Sequence, residues 1–338
     1  MKPIRIALFH RDDWYRGSAR IDGLFSYPVP EFEWTHMPVT KGFQSDLHAL
    51  RGKAEVVFWD DGKYKDYAGF SPDVGQRGYC PPVVMYALYP TLTPGHLTRR
   101  VNRAKTADAV FVDHDDLGIW ANRTGLPVRR CAYATNEYLY SPRGQERDID
   151  VFFPYVTGWS KERPALDLWL AENCAKRGLR YASTHGENIG VEYARMLGRS
   201  RVVVHMNRTP RTRPPRIFDA ACAGACVVSN EMPRVSGEDW AVKRSGEYYL
   251  AFNQPYSSAY EEFEKSAIPD YKGFAFEQLD YAISVAIGSE GARIAEAARS
   301  CVMACHTWRV RAREMYATLL DLFPILRPGR ENYWFEGG

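Results

Sequence analysis

Short apolar runs alternate with stretches of helical character along most of the chain, and this alternation restricts the fold more than any other feature. In the first part of the chain, strand-like runs occupy residues 4–9, 54–59, 83–88 and 109–112. Apart from Arg5 and Glu55, each run is apolar at consecutive positions, which is typical of strands that are buried on both faces. Helical patterns fall between the runs. A parallel sheet covered by helices on both faces accounts for this order.

The same alternation restarts after a polar segment at 140–148, which contains Pro and Gly and is predicted as a linker. The later predicted elements are strands at 150–155, 201–206 and 226–229, helices at 164–177, 191–197 and 215–224, and a mostly helical stretch at 274–322. We therefore predict an α/β protein with two Rossmann-like, doubly wound domains that face each other across a cleft, followed by a helical tail. The predicted domains are 1–145 and 146–310, with a tail at 311–338 that packs back towards the first domain.

The composition excludes several classes of protein. Of the 338 residues, 45% are hydrophobic and 25% are charged, which excludes a collagen-like, disordered or coiled-coil chain. No apolar run approaches the roughly 18 residues of a membrane-spanning helix, and the first residues lead directly into a strand-like run, so we expect a cytoplasmic protein without a membrane span. The net charge is +3, from 44 basic and 41 acidic residues, whereas a protein dedicated to coating nucleic-acid duplexes is usually more basic. The seven cysteines include no C-x-x-C pair, and we predict no metal site.

The segment from Arg208 to Arg216 is the part of the chain most informative about chemistry. It holds four arginines in nine residues, and Pro214 and Pro215 suit the first turn of a helix. The N–H groups and partial positive charge of that helix, beside the arginines, would attract a phosphate or diphosphate. Asp219, one turn into the helix, could accept hydrogen bonds from a ribose diol. A solvated basic loop followed by a structural helix is the alternative that these residues leave open.

Residues 216–230, RIFDAACAGACVVSN, resemble the R-x-F/Y-E-A-x-A-x-G block of glycosyltransferases with the GT-B fold. The resemblance is strongest to the CgeB-like, glycosyltransferase group 1 type of C-terminal domain. Residues 150–155 with the basic residues downstream, the SGEYYLAF stretch at 245–252 and the CHTWRVR stretch at 305–311 are similar to further elements of that domain. The resemblance covers residues 148–320.

This resemblance implies a hexosyl- or pentosyltransferase that moves a sugar from a nucleoside diphosphate sugar to an acceptor hydroxyl. It implies that Asp219 binds the donor ribose and that basic side chains hold the diphosphate. The predicted donor-binding residues are Asp219, Arg216, Arg163, Lys161, Arg208, Arg213 and His185. No metal ion or other cofactor is obligatory, because GT-B enzymes stabilise the leaving diphosphate with cationic side chains and helix N-termini. The resemblance favours retention of the sugar configuration over inversion.

The loop after the first strand supplies the candidate catalytic residues. It is predicted to begin at His10 and to continue through Asp12 and Asp13, so these side chains are expected at the carboxyl end of the first sheet. In an inverting enzyme, one of them would take the proton of the acceptor hydroxyl. In a retaining enzyme, the donor diphosphate can assist and no base is obligatory. Plain loop structure is the alternative for each of the three.

Other functions stay open. The acceptor could be nucleic acid, as in viral enzymes that glycosylate hydroxymethylated bases, because basic groups occur at 99–105, 129–130 and 208–216. A GT-B relic that binds a nucleotide without catalysis is a second alternative, because Arg211 stands where the family pattern has an acid. A hydrolysing sugar epimerase is a third. The predicted partner is thus a nucleotide-sugar donor, and the acceptor and the oligomeric state are left open.

Overall fold

The computed structural model of the chain describes residues 2–11, 27, 29–39, 50, 52–60, 81–87, 94–105, 107–113, 117–142, 144–155, 162–186, 190–206, 215–230, 245–252 and 275–327. The chain divides into two compact units. The first combines Met1–Ala132 with Arg309–Gly338, and the second is Tyr133–Trp308. These units are defined by contacts within the chain. The domain boundaries predicted from the sequence, at 145 and 310, remain predictions.

The first unit contains a parallel sheet of six strands in the order β2-β1-β3-β4-β5-β6. The strands are β1 (Ile4–Arg11), β2 (Phe32–Val39), β3 (Val56–Asp60), β4 (Val83–Ala87), β5 (Ala109–Val112) and β6 (Val128–Arg130). Helix α1 (Pro94–Ala104) leads from β4 to β5, and α2 (Leu117–Thr124) leads from β5 to β6. Because β1 pairs with both β2 and β3, the direction of strand addition reverses beside β1.

Helices α1 and α2 pack against the same face of this sheet. Phe9, Met85 and Val110 from the strands are buried in one cluster with Val101 of α1 and Trp120 of α2. Consecutive residues of β4 and β5 are buried, so both faces of these strands are covered. This burial explains why their sequences are unbroken apolar runs rather than alternating patterns.

The second unit contains a parallel sheet of five strands in the order β11-β10-β9-β7-β8. The strands are β7 (Ile149–Tyr155), β8 (Tyr181–His185), β9 (Ser200–His205), β10 (Cys226–Asn230) and β11 (Leu250–Phe252). The helices are α3 (Glu137–Tyr140), α4 (Glu162–Lys176), α5 (Gly190–Arg199), α6 (Pro215–Cys222), α7 (Phe276–Ile287) and α8 (Ser289–Cys305). Helix α9 (Trp308–Leu322) begins at the last residue of this unit. Two parallel α/β sheets followed by C-terminal helices confirm the predicted fold class.

The direction of strand addition in the second sheet reverses between β7 and β9. Strand β7 pairs with β8 on one side and with β9 on the other. Helix α4 leads from β7 to β8, and α6 leads from β9 to β10. The N-terminal turns of α4 and α6 therefore follow the carboxyl ends of two neighbouring strands. In open α/β sheets, ligands bind at such a reversal.

The segment at 140–148, predicted from the sequence as a linker, is held by side-chain contacts within the second unit. The guanidinium of Arg147 donates a hydrogen bond to the carbonyl of Ala223 at 2.7 Å. The carboxylate of Asp148 accepts two hydrogen bonds from Arg199, at 2.7 and 2.5 Å. Asp148 and Arg199 directly precede β7 and β9. These contacts therefore hold the end of the segment at the amino ends of the two strands, and it is not a free connection.

Candidate functional site

Asp219 lies in the second turn of α6 and is buried, with only 3% of its surface exposed. The hydroxyl of Thr135 donates a hydrogen bond to its Oδ1 at 2.7 Å. Burial raises the pKa of Asp219 to about 8, and the Thr135 hydrogen bond and the positive charge of Arg216 act in the opposite direction. The carboxyl group is thus a buried, hydrogen-bonded acid whose charge changes near neutral pH.

Thr135 is fixed by the backbone that follows α8. Its N–H donates to the carbonyl of His306 at 2.9 Å, and its carbonyl accepts from the N–H of Trp308 at 3.0 Å. The ring of Phe218 stacks on that of His306, with centroids 4.8 Å apart. Two of the stretches that carry the family resemblance, around Phe218 and around His306, are therefore in direct contact.

Two of the predicted phosphate-binding arginines lie at the reversal between β7 and β9. Arg163 belongs to the first turn of α4, and its buried guanidinium donates to the carbonyl of Met206, the residue after β9, at 3.4 Å. Arg216 is the second residue of α6 and is half-buried. The N-terminal turn of a helix has N–H groups without partners in the helix, and together with arginines it attracts anions.

A tyrosine that the sequence did not mark as functional lies near Asp219 and Arg216. Tyr193 of α5 is 4% exposed, and its ring packs edge-on against that of Tyr140, with centroids 5.7 Å apart. Burial and the charge of Asp219 raise the pKa of Tyr193, and Arg216 opposes them. Its hydroxyl has no hydrogen-bond partner among the residues that the structure describes. A polar atom of a bound ligand could supply the missing partner.

His185 ends β8 and belongs to a polar cluster around Asp167 of α4. Its Nε2 lies 3.1 Å from Oδ2 of Asp167. The hydroxyl of Tyr155 donates to Oδ2 at 3.1 Å, and that of Tyr181 donates to Oδ1 at 2.5 Å. Burial and the adjacent carboxylate raise the pKa of Tyr155 to about 12. The His185 side chain is 52% exposed, so it is accessible to a ligand.

One face of α4 connects two predicted donor-binding residues, Arg163 and His185, through Asp167. Arg163 and Asp167 are four residues apart, so they lie on the same side of the helix. Arg163 contacts the end of β9, and Asp167 contacts the last residues of β7 and β8. Asp167 thereby joins His185 to the reversal where Arg163 lies. No motif marks Asp167 in the sequence, because its role comes from contacts with strands that precede and follow the helix.

Other predicted site residues lie outside the described part of the chain, namely Asp12, Asp13, Lys161, Arg208 and Arg213. Their roles stay predictions. Strand β1 continues to Arg11, so His10 belongs to the strand rather than to the loop in which it was predicted, and its side chain is outside the described part. Among the described residues, no group of three His, Cys, Asp or Glu is placed to hold a metal ion. None of the described helices is long and apolar enough to cross a membrane.

Solved structures of similar architecture decide the fold. The UDP-glucose complex of Anabaena HepE superposes with a TM-score of 0.60 over 94% of this chain and 100% of that chain, at 12% identity. A glycosyltransferase from Rickettsia africae superposes with a TM-score of 0.60 over 95% and 99% of the two chains, at 9% identity. An alpha-glucosyltransferase was solved with UDP and a 13-mer DNA containing a HMU base. It superposes with a TM-score of 0.61 over 94% of this chain and 100% of that chain, at 11% identity. The chain has a GT-B-like fold.

At these identities the likeness shows the GT-B-like fold and not the activity. No protein-family model and no curated protein sequence matches the chain. The CgeB-like resemblance therefore stays a resemblance. In this GT-B-like chain, the described candidates for donor binding, Asp219, Arg216, Arg163 and His185, all belong to the second unit.

Proposed function

We propose that the protein is a glycosyltransferase that binds a UDP-sugar in its second unit and transfers the sugar to an acceptor hydroxyl. The observation that carries the proposal is the position of Arg163 and Arg216 in two helix N-terminal turns at the β7–β9 reversal, with Asp219 one turn further along α6. UDP is the proposed nucleotide because the HepE complex holds UDP-glucose and the alpha-glucosyltransferase complex holds UDP.

The two arginines are proposed to bind the diphosphate of the donor. A guanidinium presents several N–H groups that match phosphate oxygens, and its charge persists at all relevant pH values. Arg163 is buried and bonded to Met206, so it loses little freedom when a ligand binds. As the bond between the sugar C1 and the diphosphate breaks, negative charge grows on the leaving oxygen, where these cations stabilise it. In this proposal no metal ion or other cofactor is obligatory.

Asp219 is proposed to bind the ribose hydroxyls of the donor. Its Oδ1 already accepts from Thr135, and Oδ2 would accept from a ribose hydroxyl. Because burial raises its pKa to about 8, the carboxyl group is mostly protonated at neutral pH in the absence of a ligand. Hydrogen bonds from hydroxyls favour the charged form, so donor binding should strengthen as the pH rises towards 8.

The transfer is proposed to retain the configuration of the sugar. The bond between C1 and the diphosphate oxygen breaks with its electron pair on that oxygen, and C1 forms a bond to the acceptor oxygen. The acceptor proton passes to the leaving diphosphate. If the enzyme inverts instead, Asp13, Asp12 or His10 would take that proton.

A DNA acceptor is a second candidate for this glycosyltransferase. The alpha-glucosyltransferase of similar fold was solved with DNA that contains a HMU base. In this chain, basic groups occur at 99–105 and 129–130 in the first unit and at 208–216 in the second. Transfer of sugar to DNA with hydroxymethylated bases, and none to unmodified DNA, would support this acceptor.

Thermal unfolding with a panel of nucleotides tests the donor site. UDP, GDP, ADP, dTDP and CDP are compared at millimolar concentration. A ligand at about 100 times its dissociation constant adds about 2.7 kcal/mol to the free energy of unfolding, which raises the Tm by a few degrees in a chain of this size. We expect the largest rise with UDP, and loss of that rise in Arg216→Gln and Asp219→Asn.

Arg195→Gln is the matched control, because Arg195 is an exposed arginine of the same unit whose partner is Glu192 on the same helix. It should keep the full response to UDP. A Tm that no nucleotide changes would overturn the donor site. A response to UDP without sugar transfer to any acceptor would favour the non-catalytic relic, and release of free sugar without an acceptor would favour the epimerase.

A further inference from the structure

One edge of the first sheet has a concentration of basic residues. Helices α1 and α2 lie on the same face of the sheet and lead towards β6, the edge strand. The sequences of α1, α2 and β6 contain no acidic residue, although the chain as a whole has 44 basic and 41 acidic residues. We call these three elements, together with Lys105, the basic edge.

Helix α1 and the residue that follows it supply part of this charge. Arg100, Arg103 and Lys105 lie within two turns of one another. The guanidinium of Arg100 is 5.5 Å from the ring centroid of the buried Trp120 in α2, a contact that holds this arginine beside both helices. Lys105 is exposed, and Arg100 and Arg103 are half-buried.

Helix α2 and strand β6 supply the rest. Arg123 and Arg129 are exposed, and Arg130 is half-buried. Asp321 of α9 lies 3.7 Å from Arg129 and is itself 71% exposed. An exposed pair of this kind contributes little and is screened by salt, so Asp321 offsets only part of the charge.

The described acids between α1 and α2 are Asp108 and Asp113. The carboxylate of Asp108 accepts a hydrogen bond from the backbone N–H of Val83 at 2.8 Å. Asp113, directly after β5, is buried. All Lys, Arg, Asp and Glu residues in the sequences of α1, α2 and β6 are therefore basic.

We propose that the basic edge binds the phosphate backbone of double-stranded DNA without reading its sequence. A duplex presents about one negative charge per 1.7 Å of its axis. Helix α1, with 11 residues, is about 16 Å long and so spans several of these charges. Most of the cations are arginines, and one guanidinium group can donate hydrogen bonds to two oxygens of the same phosphate.

The apolar surface of the basic edge favours a duplex over an anionic membrane. Membrane-surface helices insert large apolar side chains beside their cations. On the described residues of the basic edge, Ile119 is the large apolar side chain that is exposed, at 40%. This binding does not depend on the proposed sugar transfer, because it needs neither a donor nor a modified base.

Fluorescence anisotropy with a short labelled duplex and the full chain tests the proposal, at several salt concentrations from about 50 to 200 mM. The test variant combines Lys105→Gln, Arg123→Gln and Arg129→Gln. The control combines Lys176→Gln, Arg195→Gln and Arg293→Gln, which removes one exposed lysine and two exposed arginines from the second unit. Melting temperatures of both variants show whether they are folded.

We expect the logarithm of the association constant of the unmodified chain to fall linearly with the logarithm of salt concentration. Each phosphate contact contributes about 0.9 to the steepness of that slope. If each of the three replaced cations makes one contact, the slope of the test variant should be less steep by about 2.7, and the variant should bind at least about tenfold more weakly at low salt. The control should bind like the unmodified chain. Equal losses in the two variants, or no duplex binding by the unmodified chain at low salt, would overturn the proposal.

Competition separates DNA from other polyanions, and the nucleotide response separates this proposal from the proposed function. Stronger competition by phosphatidylserine vesicles or by heparin than by unlabelled duplex would assign the basic edge to a different partner and overturn the DNA proposal. A UDP-dependent Tm without duplex binding contradicts the DNA proposal alone. Duplex binding without a UDP-dependent Tm contradicts the donor site alone.

Discussion

The hydroxyl of Thr135 donates a hydrogen bond to the carboxyl of Asp219 at 2.7 Å, although the two residues are 84 positions apart in the sequence. This contact joins the segment before α3 to α6, the helix whose first turn contains Arg216. It gives a buried acid a hydrogen-bond partner within the protein. The proposed donor site therefore depends on a contact between distant parts of the second unit.

Replacing Asp219 with Asn should remove a pH dependence from the stability of the protein. The pKa of Asp219 is about 8 in the folded chain against an ordinary value of 3.8, so the folded chain keeps a proton that the unfolded chain releases between these values. The resulting stabilisation is full below pH 3.8 and is lost as the pH rises towards 8. Relative to Asp219→Asn, the unmodified chain should lose at most about 1.4 kcal/mol per pH unit over this range. Urea unfolding at several pH values measures the difference, and parallel profiles would contradict it.

Removing the Thr135 hydroxyl should destabilise the second unit. Thr135→Val keeps the shape of the side chain but leaves the buried Asp219 carboxyl without its donor, which should cost about 1–3 kcal/mol of the free energy of unfolding. Thr135→Ser keeps the donor and should cost less. Thr318→Val serves as a control, because the Thr318 hydroxyl is exposed and donates only to its own helix. Equal losses for the Val and Ser variants at position 135 would show that packing, not the hydrogen bond, matters there.

The polar cluster around Asp167 should be a measurable source of stability. Asp167→Ala removes the acceptor of two tyrosine hydroxyls and the partner of His185, and should cost about 2–3 kcal/mol. Asp321→Ala removes an exposed acid with one distant ionic contact and should change the free energy of unfolding by less than about 0.5 kcal/mol. Denaturant unfolding of both variants makes the comparison. Similar small effects would mean that the Asp167 cluster is not formed in solution.

Replacing either of two helical glycines with alanine should affect the stability of the protein differently. A Cβ on Gly291, in the first turn of α8, would collide with the backbone carbonyl of Ala286, whereas a Cβ on Gly118 of α2 would meet open space. Gly291→Ala should therefore destabilise the protein by about 1–3 kcal/mol. Gly118→Ala should leave it unchanged or stabilise it by up to about 1 kcal/mol, because alanine favours helices. The two melting temperatures decide the matter, and a tolerated Gly291→Ala would contradict the close approach of α7 and α8.

The central strands were predictable because they are buried on both faces. Their consecutive apolar residues mark β4, β5 and β7 directly, and the ends differ from the prediction by one residue or less. Strands β2 and β6 were missed. Both are edge strands, and β2 mixes polar residues with Pro38 while β6 has three residues, two of them arginine. A strand with one open side needs no continuous apolar run, so its sequence carries a weaker signal.

The site was predictable only where a local pattern marks it. The prolines and arginines before Asp219 predicted the N-terminus of α6, and the structure begins that helix at Pro215. Thr135, Asp167 and Tyr193 were not predicted. Each acquires its position from residues far away in the chain, and a Thr, an Asp or a Tyr on its own has no spacing that distinguishes it from an ordinary surface or core residue.

Isothermal titration calorimetry with UDP measures donor binding at the β7–β9 reversal. We expect the unmodified chain to bind UDP and Arg163→Gln to weaken binding at least about tenfold, a loss of about 1.4 kcal/mol. Arg195→Gln, far along the sequence on α5 and paired with Glu192, should leave the dissociation constant unchanged. Melting temperatures establish that both variants are folded. An unmodified chain that releases no heat with UDP, or an Arg163→Gln variant that binds UDP as tightly as the unmodified chain, would contradict the donor site proposed at the β7–β9 reversal.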